Sequence, residues 1–94
     1  MALLELIGKR VDVELERNDG FEGLALNGTL IRAFEPPFHP HFASLGFMIG
    51  PHYVRLRTDG VSRVIHKKQQ GEGGQTTSIH VRLHNNDALH IKPT

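Results

Sequence analysis

One stretch constrains the fold of this chain more than any other. It runs Ile79-His80-Val81-Arg82-Leu83-His84-Asn85-Asn86-Asp87-Ala88-Leu89-His90-Ile91-Lys92. Apolar and polar residues alternate on both sides of an Asn-Asn-Asp cluster, the pattern of a half-buried hairpin. A two-residue turn at Asn85-Asn86 would set Val81 against His90 and mix the faces. A three-residue loop, Asn85-Asn86-Asp87, sets Leu83 against Leu89 and Val81 against Ile91. Ile79, Val81, Leu83, Leu89 and Ile91 then share one face. Asn and Asp tolerate the left-handed backbone that such a loop requires. The other face carries His80, Arg82, His84, His90 and Lys92, with Arg82 opposite His90 and His80 opposite Lys92. The hairpin has a core face and a cationic, histidine-rich outer face.

The rest of the chain adds further strands. Ala2 to Ile7 reads as a short helix with Leu3, Leu6 and Ile7 on one side and Gly8 as its stop. Val11, Val13 and Leu15 alternate with Asp12, Glu14 and Glu16, which predicts a first strand. Arg17 to Gly20 is a turn, and Gly28 to Phe34 is the clearest part of a second strand. Gly23 and Gly28 suggest a bulge or a sharp bend. Residues 35–52 hold four Pro beside Phe38, Phe42, Leu45, Phe47, Met48 and Ile49. That is too many Pro at its ends for a regular element and too apolar for a linker, so the reading is an inserted, ordered loop with a helical turn at 42–48. Tyr53 to Lys67 reads as a second hairpin turning at Asp59-Gly60, which pairs Thr58 with Val61, Leu56 with Arg63, and Val54 with Ile65. Arg63 is then discordant on an otherwise apolar inner face. Residues 68–78, rich in Gln, Thr and Gly, read as a mobile loop.

Ninety-four residues suffice for one domain with a small core, so residues 1–94 are read as a single unit. The chain has no Cys, which excludes disulfides, thiolate metal sites and a Cys nucleophile. The apolar residues at the N-terminus are too few for a signal or a membrane span, which points to a cytoplasmic protein without membrane attachment. Net charge is +1, from 11 Lys and Arg against 10 Asp and Glu, so bulk charge gives no argument for nucleic acid. The distribution is less even. From Arg55 to Lys92 there are seven Lys or Arg, four His and only three acids, Asp59, Glu72 and Asp87.

Several short strands, tight turns and one leading helix predict an all-β chain, a small five- to six-stranded barrel. Leu6-Ile7-Gly8-Lys9-Arg10-Val11-Asp12-Val13-Glu14-Leu15 followed by Gly28 to Glu35 resembles the first signature of Sm-like proteins. Val81 to Ile91 resembles the second. The resemblance implies an SH3-like, strongly bent barrel behind an N-terminal helix, rings built by edge-strand pairing, and binding of single-stranded RNA. The chain departs from the family at three places. Its first two strands are linked by a longer segment, Asn18 to Asn27. Glu35-Pro36-Pro37-Phe38-His39 stands where the family places an Asp and an Asn that clamp a base. Leu83-His84 stands where the family has Arg-Gly.

The residues predicted to meet RNA or another anion are Arg55, Arg57, Arg82, His84, Asn85, Asn86 and Lys92, the polar sides of the two hairpins with their turn. An ordinary solvated strand face and plain turn chemistry are the competing readings of the same residues. Phe38, Phe42 and Phe47 are candidates for stacking bases, against a core or interface role that is preferred. His39, His41 and His52 are a candidate metal set, with exposed loop imidazoles the preferred reading because zinc needs three or four ligands. No nucleophile elbow or carboxylate pair supports hydrolysis, so a non-enzymatic module without cofactor is expected. Its expected partners are copies of itself, in a homo-oligomer, and single-stranded RNA. The alternatives are a protein-interaction module without nucleic acid and a His-based metal-binding protein.

Overall fold

A computed structural model describes residues 3–35, 37–71 and 74–94. The chain is all-β. A 3-10 helix at Leu3–Leu6 precedes seven strands: β1 Arg10–Glu16, β2 Leu24–Arg32, β3 Phe42–Ile49, β4 His52–Asp59, β5 Val61–Gly71, β6 Gly74–Leu83 and β7 Ala88–Pro93. They form one antiparallel sheet in the order β4-β3-β2-β1-β7-β6-β5. Among the described residues no helix is long and apolar enough to cross a membrane.

The helix is one turn, too short to stand alone, and it is held from both ends. Leu3 and Leu6 are buried. Gly8, at φ +88°, turns the chain into β1 while its N–H donates to the Leu30 carbonyl at 2.7 Å. Ile7, expected on the buried side, is exposed. In β1 the alternation acts as expected: Val11 and Val13 point inward, Asp12, Glu14 and Glu16 outward. The core gathers these with Leu30, Ala43, Leu45, Phe47, Val61, Ile79, Val81, Leu83, Leu89 and Ile91. Each fully buried Leu, Ile or Phe contributes about 1.5–3 kcal/mol by leaving water.

Five further expectations are corrected by the structure. The inserted loop at 35–52 contains a strand, not a helical turn. Ala43, Leu45 and Phe47 face inward while Phe42, Ser44 and Met48 face outward, a period of two that the flanking Pro residues obscured. A two-residue turn with Gly50 at φ +61° then joins β3 to β4, pairing Ile49 with His52.

The hairpin expected at Tyr53 to Lys67 does not form. β4 pairs with β3, and β5 pairs with β6. Gly60 is not among the residues at positive φ. It is glycine because the backbone of residues 39–40 lies against it: a Cβ there would stand 2.2 Å from the Pro40 oxygen. The run from His52 to Gly71 is thus nearly continuous, changing partners at Gly60. That also raises the strand number to seven among the described residues.

The third correction is to the hairpin at 79–92. Its loop has three residues, as expected, but they are His84, Asn85 and Asn86. The Asn86 N–H donates to the Leu83 carbonyl at 3.0 Å, and the Leu83 N–H to the Asp87 carbonyl at 2.9 Å. Asn86 takes the left-handed conformation, at φ +71°. The ladder therefore sets Val81 against Leu89, His80 against His90 and Arg82 against Ala88. The two registers differ by two residues, so the faces are the same and Leu83 is buried as expected.

Fourth, most of residues 68–78 belong to strands, since β5 continues to Gly71 and β6 begins at Gly74; Glu72 and Gly73 lie outside the described residues. Fifth, the register shifts fall between Leu30 and Arg32 and between Val61 and Arg63, not at Gly23 or Gly28. At those two glycines a Cβ would meet Leu15 O at 1.7 Å and Met48 O at 2.8 Å, so close approach of a neighbouring strand explains them.

Candidate nucleic-acid interface

The outward face of the β3–β4 hairpin is cationic and aromatic. Its cross-strand pairs are Phe42 with Asp59, Ser44 with Arg57, Gly46 with Arg55 and Met48 with Tyr53. Among the described residues Asp59 is the only carboxylate on that face. The Arg57 guanidinium lies 4.8 Å from the Phe42 ring centre, and the His39 ring stacks on Phe42 at 3.9 Å with a 30° tilt. Arg55 donates to the Ser44 hydroxyl at 3.2 Å. Tyr53 covers Gly46, where a Cβ would meet the tyrosine hydroxyl at 2.2 Å, yet Tyr53 itself is 52% exposed. An open depression of about 220 Å³ beside Phe42 is lined by Arg32, Phe38, His39 and Arg55 among others. A planar base fits such a surface by stacking, with phosphate met by the arginines.

Gly60 links this face to the second group. Its carbonyl accepts the His84 N–H at 2.8 Å, while Pro40 packs against its Cα. Beyond it, β5 carries Arg63 directly opposite Arg82 of β6. Both are exposed, and neither β5 nor β6 contains a carboxylate. Like charges directly opposite each other on a ladder are unfavourable. Arg82 also donates to the Asn86 carbonyl at 3.1 Å. Arg63 was misplaced by the sequence reading, and its discordance on the apolar face was the signal that the hairpin there was wrong.

The remaining predicted residues divide. Asn85 is committed to its turn: its amide nitrogen donates to Asp87 Oδ2, its Oδ1 accepts the Asp87 N–H, and its carbonyl accepts from Asn18 Nδ2. Asn86 serves as the left-handed residue of the turn. Lys92 does not join the basic group; it lies opposite Asp12 on β1. Phe47 is wholly buried and Phe38 packs edge-on against Phe34 at 5.8 Å, so only Phe42 of the three Phe is exposed for stacking. His39 and His41 sit near the Asp59 end of the β3–β4 hairpin and His52 at the other end, so the three imidazoles do not converge. No group of three or more His, Asp or Glu among the described residues is placed to hold a metal.

One cluster escaped the sequence reading because it depends on register. On the outer face His80 and His90 meet with Nδ1 atoms 2.9 Å apart, and His90 Nε2 lies 2.9 Å from Glu16 Oε2. His80 Nε2 is 3.4 Å from the Ser78 hydroxyl. Burial lowers the His80 pKa below the ordinary histidine value, with His90 and then Lys67 adding to the effect.

The fold and this surface define an antiparallel all-β chain with a basic, aromatic flank. No family model, curated protein or solved structure matches it.

Proposed function

We propose that the chain is a non-enzymatic, self-associating Sm-like module that binds single-stranded RNA along the bent β4–β5 run. The observation that carries the reading is the facing Arg63–Arg82 pair, with no carboxylate on either strand, where Arg63 follows Arg55 and Arg57 along the chain. The exposed cations Arg55, Arg57, Arg63 and Lys67 follow one another along a single strand path. At one end of it the exposed His39–Phe42 stack offers an aromatic surface to a base. Backbone phosphates recur along an extended strand in the same way, and aromatic stacking accepts any base.

The bent-barrel reading rests on the leading helix, on the last strand pairing with the first, and on the kink at Gly60 that lets one strand serve two neighbours. Self-association rests on the unpaired outer edges of β4 and β5, together with exposed Ile31, Ile49 and Tyr53. An unpaired edge of this kind is a template for pairing with a strand of another chain. The cytoplasm is the compartment in which such a module would meet RNA.

The test is titration of a labelled single-stranded oligonucleotide at two salt concentrations. Binding weakens with salt, with a slope of about −0.7 per phosphate neutralised. Arg63→Gln combined with Arg82→Gln lowers the slope and the affinity, while Lys92→Gln has the smaller effect because Asp12 stands beside it. Absence of binding at low salt removes the RNA reading. Solution mass tests self-association separately, and a mass near 10.5 kDa at all concentrations removes that part.

A further inference from the structure

His80 and His90 face each other across the β6–β7 ladder, with ring centroids 4.5 Å apart and ring planes at 88°. The carboxylate of Glu16 on β1 can only accept, so it fixes the His90 proton on Nε2. With the Nε2 proton so held, a ring carrying that proton alone presents its Nδ1 lone pair to the Nδ1 of His80, 2.9 Å away. Two imidazole nitrogens so placed are joined either by a proton, donated from one ring, or by a metal ion.

We propose that His80 and His90 form a two-nitrogen site for a divalent ion of the copper(II) type, oriented by Glu16. The angle selects the ion class. Two nitrogens 2.9 Å apart subtend about 90° at an ion about 2.05 Å from each. That is the angle between neighbouring ligands of a tetragonal ion. Tetrahedral zinc would require the nitrogens to part to roughly 3.3 Å. Copper(II) also binds nitrogen donors most strongly among the divalent first-row ions. Glu16 completes the carboxylate–histidine–metal arrangement that raises ligand basicity and holds ring orientation.

The surroundings set the strength. Lys67 on β5, Arg82 on β6 and Lys92 on β7 are cations on the same outer face, and they oppose a divalent ion. Glu16 and Glu14 on β1 offset them, Glu14 directly opposite His90. The side chain of His90 is 32% exposed, so water can fill the remaining positions. The site stands on the outer sheet face and does not depend on RNA binding.

The experiment is titration of the whole chain with copper(II), followed by electron paramagnetic resonance and visible absorption. The parent takes up one ion with two nitrogen donors. His80→Gln and His90→Gln each abolish that two-nitrogen signal, and Glu16→Gln weakens binding by about ten- to a hundredfold. Copper raises the melting temperature of the parent but not of His90→Gln. Circular dichroism confirms that the variants fold, and the paired His39→Gln, His41→Gln variant binds like the parent. The proposal is overturned if copper does not bind, if binding is unchanged in His80→Gln and His90→Gln, or if it is lost in the His39, His41 variant instead.

Discussion

Replacing Gly60 and Gly46 by Ala in turn isolates what fixes the junction between β4 and β5. The two sites have the same nominal overlap: an added Cβ lies 2.2 Å from its nearest heavy atom in both. The neighbour differs. At Gly60 it is the Pro40 carbonyl, with the Pro40 carbon at 2.3 Å and the His39 oxygen at 2.8 Å. All three are backbone atoms, and the proline ring limits how that backbone can turn aside. At Gly46 it is the far end of Tyr53, a side chain 52% exposed and free to swing into water. Overpacking costs about 1–3 kcal/mol when neighbours can adjust. Gly60→Ala therefore costs about 3 kcal/mol, the top of that range. Gly46→Ala costs about 1 kcal/mol or less, since Ala in a strand recovers roughly 0.5–1 kcal/mol of backbone entropy. Urea denaturation measures both. With a slope of about 1.5 kcal/mol/M, a 3 kcal/mol loss lowers the midpoint by about 2 M. Total stability for a small domain is about 5–15 kcal/mol, so Gly60→Ala remains measurable. Equal losses at the two sites, or a Gly60→Ala midpoint within about 0.3 M of the parent, would refute the argument that Pro40 dictates glycine at this junction.

Three other outcomes follow from the same geometry. Leu83→Asp unfolds the domain, because an unpaired carboxylate costs several kcal/mol in the core, while Arg82→Ala stays folded; near-identical circular dichroism melts for the two would sink the facing of this strand. Asn86→Gly melts at or above the parent temperature and Asn86→Val below it by the equivalent of about 1 kcal/mol or more, since φ is +71° there, and calorimetry decides between this and no effect. For the metal-free protein, the lowered His80 pKa means that the folded state binds fewer protons than the unfolded state. Stability is then fully present above about pH 6.5 and is lost as pH falls from there through the lowered value, and His80→Gln flattens this part of a melting-temperature profile against pH.

The alternation in 10–16 and 79–91 was legible because it is local. A period of two assigns each residue to a face whatever strand lies beside it, and a register slip of two residues leaves the faces intact. Val11, Val13, Ile79, Val81, Leu83, Leu89 and Ile91 are accordingly buried. Partner choice is not local. Asp59-Gly60 has the composition of a hairpin turn, yet Gly60 answers to Pro40, twenty residues earlier in the chain. Only the fold brings that carbonyl against it and sends β4 and β5 to different neighbours. The same decision puts Arg63 beside Arg82. The slip of two residues likewise put His80 against His90 in place of Lys92, and Glu16 came to them from the far end of the chain. Within the unbroken strands 10–16 and 79–83 the sequence determined which side chains face water, because parity alone decides it there, whereas the register shift between Val61 and Arg63 reset the facing of β5. Tertiary structure decided which of them meet, because that depends on which strands pair and in what register.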